Sequence, residues 1–388
     1  MKLGNHNVVK LDNLALRVYT SNLLGRSDEL VLHGGGNTSV KSIQNNEEVL
    51  LVKGSGWDLV SIKEEGFASV KLDTLIKMAS LKELSDSNMI TKQKEAMINK
   101  DAPNPSVEAI LHAIIPFKFV DHTHSDAVVT ISNSINGIEH IENLYKNYLI
   151  VPYIMPGFIL ASKIYEMSKD LDWGTCEGII LHNHGIFTFD NDAKKSYTKM
   201  IDAVSLAEDF LNTNAPLNLE VNAAVQSYDI RRLRETMEEL KGHDITIKQN
   251  ITREAVYYAN QDNLKQKVTK GLLTPEHIIR TKLYPLVLDG MDMNEAIEKY
   301  KEDYIKYFNT YKKDEIMLNP MPNYVVIKDY GIVSFGKNEK EAKIIDDIVA
   351  HTIKAVLQGE LLGGYKSISE QDSFDMEYWE LEQAKLKK

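Results

Sequence analysis

Apolar and polar positions along the first 213 residues follow two rhythms. The stretches "LDNLALRVYTSNLL" (11–24) and "PSVEAILHAIIP" (105–116) carry apolar residues at helical spacing, and the second opens with Pro-Ser, a helix start signal. Short apolar runs bounded by glycine or polar residues lie between and after them. "ELVLHG" (29–34), "EVLLVKG" (48–54), "FKFVDHTH" (117–124) and "CEGIILHNHGIFTF" (176–189) read as strands. A long amphipathic helix is predicted over 191–213. Residues 214–225, "NAPLNLEVNAAV", lose the pattern and read as a linker. Charged helices follow, then a hairpin-like pair in "YVVIKDYGIVSFG" (324–336), a closing helix over 338–358 and a charged tail with a few large aromatics. The pattern predicts an α/β chain: a first domain over 1–213, a linker over 214–225 and a smaller C-terminal α/β domain over 226–388.

One internal echo stands out. "NHGIFTFDNDAKK" (183–195) and "DYGIVSFGKNEKE" (329–341) share G-I-x-x-F, and each leads into a helix. Two readings stand: a chance likeness between strand–turn–helix units, or a degenerate duplication. In the second reading Tyr330 replaces His184, and the C-terminal domain is a degenerate repeat without that imidazole.

Composition narrows the function classes. Apolar residues make up 43% of the 388, enough for a core, and the net charge is 45 minus 56, or −11. Nucleic-acid binding that ignores sequence depends on Lys and Arg, so this balance argues against it. Cys176 is the single cysteine, so no internal disulfide can form, which fits a reducing cytoplasm. The N-terminus has no apolar signal core, and no run of about 18 apolar residues occurs. A soluble cytoplasmic protein, with neither nucleic acid nor membrane as partner, is expected.

The chemistry begins at "LVLHGGGNTSV" (30–40), where an apolar run ends in His33 and three glycines. Such a stretch serves either as an esterase oxyanion loop or as a loop whose backbone approaches a phosphate or sugar. The esterase reading needs a G-x-S-x-G elbow, and none exists. The nearest match, "GTCEG" (174–178), precedes a strand, so Cys176 is expected to be an inert buried thiol. "KGSGWDL" (53–59) lacks the third glycine of a dinucleotide turn, since Leu59 stands there, and no Walker-type loop is present. The histidines say more. His122 and His124 lie at i and i+2, on one face of an extended segment, and His182 and His184 repeat that spacing. Three neutral imidazoles with an open fourth position make a catalytic zinc site. Glu108 sits on an otherwise apolar helical face with His112 one turn later. Either it points to solvent, or it faces a polar site.

In order, the pieces are G-G-N-T-S (35–39), G-S-G (54–56), P-S-x-E (105–108), H-T-H (122–124) and N-H-G (183–185). Together they resemble class II aldolases of the aldolase/adducin family, over roughly residues 10–213. The resemblance implies α/β/α layers around a mainly antiparallel central sheet. It implies zinc or another divalent metal on His122, His124 and His184, with His182 structural. Glu108 would take and return the proton. Gly36, Asn37, Thr38, Ser39, Ser55, Gly56 and Ser106 would form the substrate-phosphate loops. Two positions depart from the family pattern. Val107 stands where fuculose-phosphate aldolases carry a second serine, and Pro156 aligns with their tyrosine acid, with Tyr153 close by.

Length and tail add detail. With "LLTPEHIIRTK" (272–282), "DIVAHT" (347–352) and "FDMEYWELEQAKL" (374–386), the chain resembles the aldolase half of bifunctional rhamnulose-1-phosphate aldolase/short-chain dehydrogenases. The implied activity is reversible cleavage of a ketose 1-phosphate to dihydroxyacetone phosphate and a short aldehyde. A homo-oligomer, most simply a tetramer, and a separate short-chain dehydrogenase are the implied partners. A sugar-phosphate epimerase, a dehydratase and a non-catalytic adducin-like binding protein are the rivals on this scaffold. In "LLTPEHIIRTK", His277, Arg280 and Lys282 read either as anion ligands or as cations on the solvated face of a helix capped by Thr274 and Pro275, and the second is expected.

Overall fold

The computed structural model of the chain describes residues 12–220 and 225–387. It is an α/β protein with a large, mainly antiparallel sheet and a second, smaller one. The large sheet holds β1 (Asn37–Gln44), β2 (Glu47–Lys53), β3 (Phe67–Lys71), β4 (Phe119–Thr123), β5 (Tyr148–Val151), β6 (Gly178–Leu181) and β7 (Gly185–Asp190), in the order β3-β2-β1-β4-β7-β6-β5. The β3–β2, β2–β1, β1–β4 and β4–β7 pairs are antiparallel. The small sheet holds β8 (Thr246–Asn250), β9 (Leu286–Leu288), β10 (Tyr324–Ile327) and β11 (Gly331–Gly336), in the order β8-β11-β10-β9. There β8–β11 and β11–β10 are antiparallel and β10–β9 is parallel.

The chain forms two compact units. Of the described residues, one comprises 12–124, 147–180 and 186–203; the other comprises 125–146, 181–185, 204–220 and 225–387. Among the described residues, no helix is long and apolar enough to cross a membrane.

β4 is central in the large sheet, and all five of its residues are buried. Its Asp121 would be costly there without a partner. It pairs with the wholly buried Arg17 of the helix Asn13–Leu24 and accepts from Ser196 Oγ at 2.5 Å. Arg17 also donates to the Val120 carbonyl at 3.3 Å. This network anchors the histidine-bearing strand. Removing one partner of a buried ion pair typically costs about 3–5 kcal/mol.

Several elements differ from expectation. "ELVLHG" is not a strand: Leu30, Val31 and Leu32 are buried, but the backbone turns, with His33 at φ 43° and Gly34 at φ 81°. The helix expected over 105–116 runs only from Ala109 to Ile114, because Pro105 bridges to Gly54 and Glu108 occupies the N-cap. "CEGIILHNHGIFTF" is two strands, broken at Asn183 with φ 60°. The helix expected over 191–213 spans Ala193–Asn214. Residues 221–224 of the expected linker lie outside the described residues, and 215–220 have no regular structure.

Of the three cations of "LLTPEHIIRTK", Arg280 is half-buried and the other two do not lie on a solvated face. His277 and Lys282 are buried, and Lys282 Nζ lies 3.0 Å from both Glu377 Oε1 and Tyr304 Oη. Thus the tail motif meets the earlier one inside a core, where the Lys282 charge is neutralised.

Candidate functional site

His122 leaves β4 on the side facing β7. Its Nδ1 lies 3.0 Å from the Ile186 carbonyl, which can only accept, so Nδ1 carries a proton, and in the neutral ring Nε2 presents a lone pair. The ring stacks on Phe187 with centroids 3.9 Å apart. His124, two residues on, returns to the same face, and the two Nε2 atoms are 3.0 Å apart. His184 joins them from the turn between β6 and β7. One ligand atom from each of the three lies within 4.8 Å of the others. His122 is fully buried and His184 is 4% exposed, so water screens this cluster poorly. Imidazole lone pairs held this close call for a shared proton or cation. Three convergent imidazoles fit a divalent metal of the zinc type, and a carbonyl-held Nδ1–H is the usual outer support of such a ligand.

Glu108 stands beside this cluster. Its Oε2 lies 3.5 Å from His122 Nε2 and accepts from Asn37 Nδ2 at 2.5 Å, and the residue is 6% exposed. The sequence left two options for this carboxylate, and its surroundings are polar and buried. The Asn37 contact sets a chain of protons. Because Asn37 Nδ2 donates to the carboxylate, its Oδ1 faces His112 Nε2, which must carry hydrogen. His112 Nδ1 then accepts from Ser39 Oγ at 2.8 Å. Burial first, then the nearby His122, Arg17 and Lys41, hold the His112 pKa well below its ordinary value. The neutral ring is what this chain of donors requires.

Three loops meet next to Glu108. Gly36 has φ 61°, and a Cβ there would come within 2.6 Å of the His122 carbonyl oxygen. Only glycine lets this loop lie against the histidine strand. Gly56 is also left-handed, at φ 90°. Ser55 N donates to the Asn104 carbonyl at 2.7 Å, and Ser106 N to the Lys53 carbonyl at 3.0 Å, so residues 53–56 and 104–108 are tied together. Ser55 and Ser106 remain half-buried. The hydroxyls of Thr38 and Ser39 are not brought to this surface. Both residues are fully buried; Thr38 bonds to Ser21 at 2.8 Å and Ser39 to His112.

Sequence reasoning missed Lys53. It is 6% exposed, and its Nζ donates to the Gly34 carbonyl at 3.3 Å, which brings a cation to the glycine loop. The available signal was a lysine ending an apolar strand immediately before G-S-G. Val107 and Tyr153 are half-buried, and the Tyr153 hydroxyl is inside. His182 Nδ1 lies 2.5 Å from Asn183 Oδ1. Cys176 is buried, and burial pushes its thiol pKa up, against the sense that makes a nucleophile.

Residues 16–211 match the family model described as "Class II Aldolase and Adducin N-terminal domain", and residues 224–386 match "Aldolase class II, second domain". An uncharacterized oxidoreductase of Bacillus subtilis (strain 168), YuxG, is 29% identical over 399 aligned residues, which cover 95% of this chain. The chain spans only 57% of the length of that relative. The structure of the N-terminal class II aldolase domain of a conserved protein from Thermoplasma acidophilum is 36% identical. It covers 54% of this chain and 99% of its own, with a TM-score of 0.49. An L-fuculose-1-phosphate aldolase from Thermus thermophilus is 15% identical. It covers 52% of this chain and 96% of its own, with a TM-score of 0.35.

Proposed function

Because the chain belongs to the class II aldolase and adducin family, we propose that it is a divalent-metal-dependent aldehyde-lyase. In this reading it reversibly cleaves a ketose 1-phosphate of the rhamnulose or fuculose type to dihydroxyacetone phosphate and a short aldehyde. The observation that carries the reading is Glu108 Oε2, 3.5 Å from His122 Nε2 within the buried histidine cluster. A carboxylate held there is within reach of the carbon next to a carbonyl that binds at the cluster.

His122, His124 and His184 would hold the metal, zinc or a similar divalent ion. Bound there, it supplies Lewis-acid polarisation of the substrate carbonyl. Glu108 removes the proton at the adjacent carbon and returns it. Asn37 orients that carboxylate, and His112 and Ser39 orient Asn37. Lys53, the Gly36 and Gly56 loops, Ser55 and Ser106 hold the phosphate, which positions the reacting end. Thr38 and Ser39 contribute by holding the loop from inside. The reading includes a homo-oligomer, taken as a tetramer from the family resemblance. It also includes a short-chain dehydrogenase partner, at which the oxidoreductase name of YuxG hints.

The test is incubation of metal-replete protein with candidate sugar phosphates. Triose phosphate release is expected; isomer formation or water loss without cleavage would replace the aldolase reading with epimerase or dehydratase. Glu108→Gln should keep the metal and substrate affinity yet lose turnover by about 10²–10⁴-fold. Solvent exchange of the dihydroxyacetone phosphate C3 proton at the wild-type rate in that variant would remove Glu108 from proton transfer.

A further inference from the structure

Asn133 follows the helix Asp126–Ser132 and is fully buried. Its Nδ2 hydrogens reach the Leu273 carbonyl at 2.8 Å and Tyr365 Oη at 2.9 Å. Its own carbonyl accepts from Lys366 N at 2.6 Å. Tyr365 Oη, in turn, donates to the Leu272 carbonyl at 2.6 Å. On its other side, Asn133 Oδ1 accepts from Asn183 Nδ2 at 2.7 Å. All these residues belong to the second compact unit.

Asn183 is the residue immediately before His184. Its φ of 60° is left-handed, a conformation Asn tolerates but does not require. Its backbone N–H donates to Ser132 Oγ at 3.1 Å. Its Oδ1 faces His182 Nδ1, so both ends of the amide are engaged. The turn 182–184 is therefore held by side-chain and backbone bonds to residues 132 and 133. Those are held in turn by chain segments more than a hundred residues later.

We propose that Asn133 is a positioning residue for the metal centre. By holding Asn183 it sets the conformation of the turn that presents His184. Residues 272–273 and 365–366 hold Asn133, so the C-terminal part of the chain controls the affinity of the three-histidine site. The proposal rests on the reading of His122, His124 and His184 as metal ligands. Its physical basis is that three ligands converge only if each is held in place. Polar partners outside the ligands commonly contribute about 10–100-fold in metal affinity.

The experiment measures Zn(II) affinity of the full chain by competition with a chromophoric chelator, beside thermal melting of each variant. Asn133→Ala should weaken Zn(II) binding about 10–100-fold. Asn183→Gly keeps the left-handed backbone and deletes only the amide, so it guards against a folding failure at Asn133 and should weaken binding comparably. Tyr365→Phe removes one of the partners of Asn133 and should have the smallest effect. A hub that served stability alone would lower melting temperatures and leave the Zn(II) affinity of the folded variants within about twofold of the parent. That result, with His184→Ala still losing Zn(II), would overturn this proposal and leave the metal reading intact. A parent chain without Zn(II) affinity, or a His184→Ala chain with full affinity, would overturn both.

Discussion

The turn between β6 and β7 and the turn between β10 and β11 follow one plan. Each has three residues, 182–184 and 328–330, and each middle residue is left-handed, Asn183 at φ 60° and Asp329 at φ 61°. In both, the third residue donates its N–H at 3.1 Å to the carbonyl three positions back. Each leads through a six-residue strand beginning G-I into a helix of 22 or 23 residues. The neighbouring strands correspond as well. β7 pairs with β4 so that Phe187 faces His122, and β11 pairs with β8 so that Val333, the matching residue, faces Gln249. The two regions part at the side chains. Where the first has His184 close to His122, the second has Tyr330, whose hydroxyl bonds to Gln249. A shared backbone plan thus decides where a side chain is presented. Chemistry depends on what the partner strand offers it, and a Tyr–Gln hydrogen bond satisfies the same two positions without a cation. This is the register a degenerate duplication would leave.

The comparison breaks most sharply at the third turn residue. His184→Ala should reduce bound metal from about one ion per chain to nearly none, because three protein ligands define the site. Tyr330→Phe should leave metal content unchanged and remove one hydrogen bond, typically worth about 0.5–1.5 kcal/mol. Elemental analysis of gel-filtered protein reads both. Equal metal loss in the two variants would end the distinction between the regions.

A gain of function comes next in size. Gln249→His, Ile251→His and Tyr330→His together place imidazoles at the positions matching His122, His124 and His184. A second, weaker Co(II) or Zn(II) ion per chain is expected, with the visible band of Co(II) as readout. Titration that stops at one ion would show that the two regions share a backbone outline without sharing ligand geometry.

The smallest effect is expected at the middle residue. Asp329→Gly retains a backbone that accepts φ near 60° and should change stability by no more than about 0.5 kcal/mol in urea denaturation. The larger response expected of metal affinity in Asn183→Gly makes the two left-handed turns differ in role while matching in shape. A large destabilisation by Asp329→Gly would place side-chain support in the second turn too.

Much of the large sheet was legible because its signals are local. Short apolar runs mark β2, β4, β6 and β7, and the H-T-H spacing needs only an extended backbone to put both rings on one face. "ELVLHG" misled because Leu30, Val31 and Leu32 are as buried as strand residues, yet the glycines after them and the left-handed His33 turn the chain. "PSVEAILHAIIP" misled because Pro105 pairs with Gly54, a residue far away in sequence that no helical periodicity encodes.

The sequence by itself determined which residues are candidates for chemistry. Imidazoles, a carboxylate among apolar neighbours and glycines at turns have few ordinary uses together, and their order along the chain is specific. Only the tertiary structure decided how they divide the work. Ser39 and Thr38 turned inward, Lys53 came to the glycine loop, and Lys282 met Glu377 in a core. It also tied the His184 turn to residues near 273 and 365. The reason is physical: side-chain type follows from the sequence, whereas burial and hydrogen-bond partners depend on which distant segments arrive beside it.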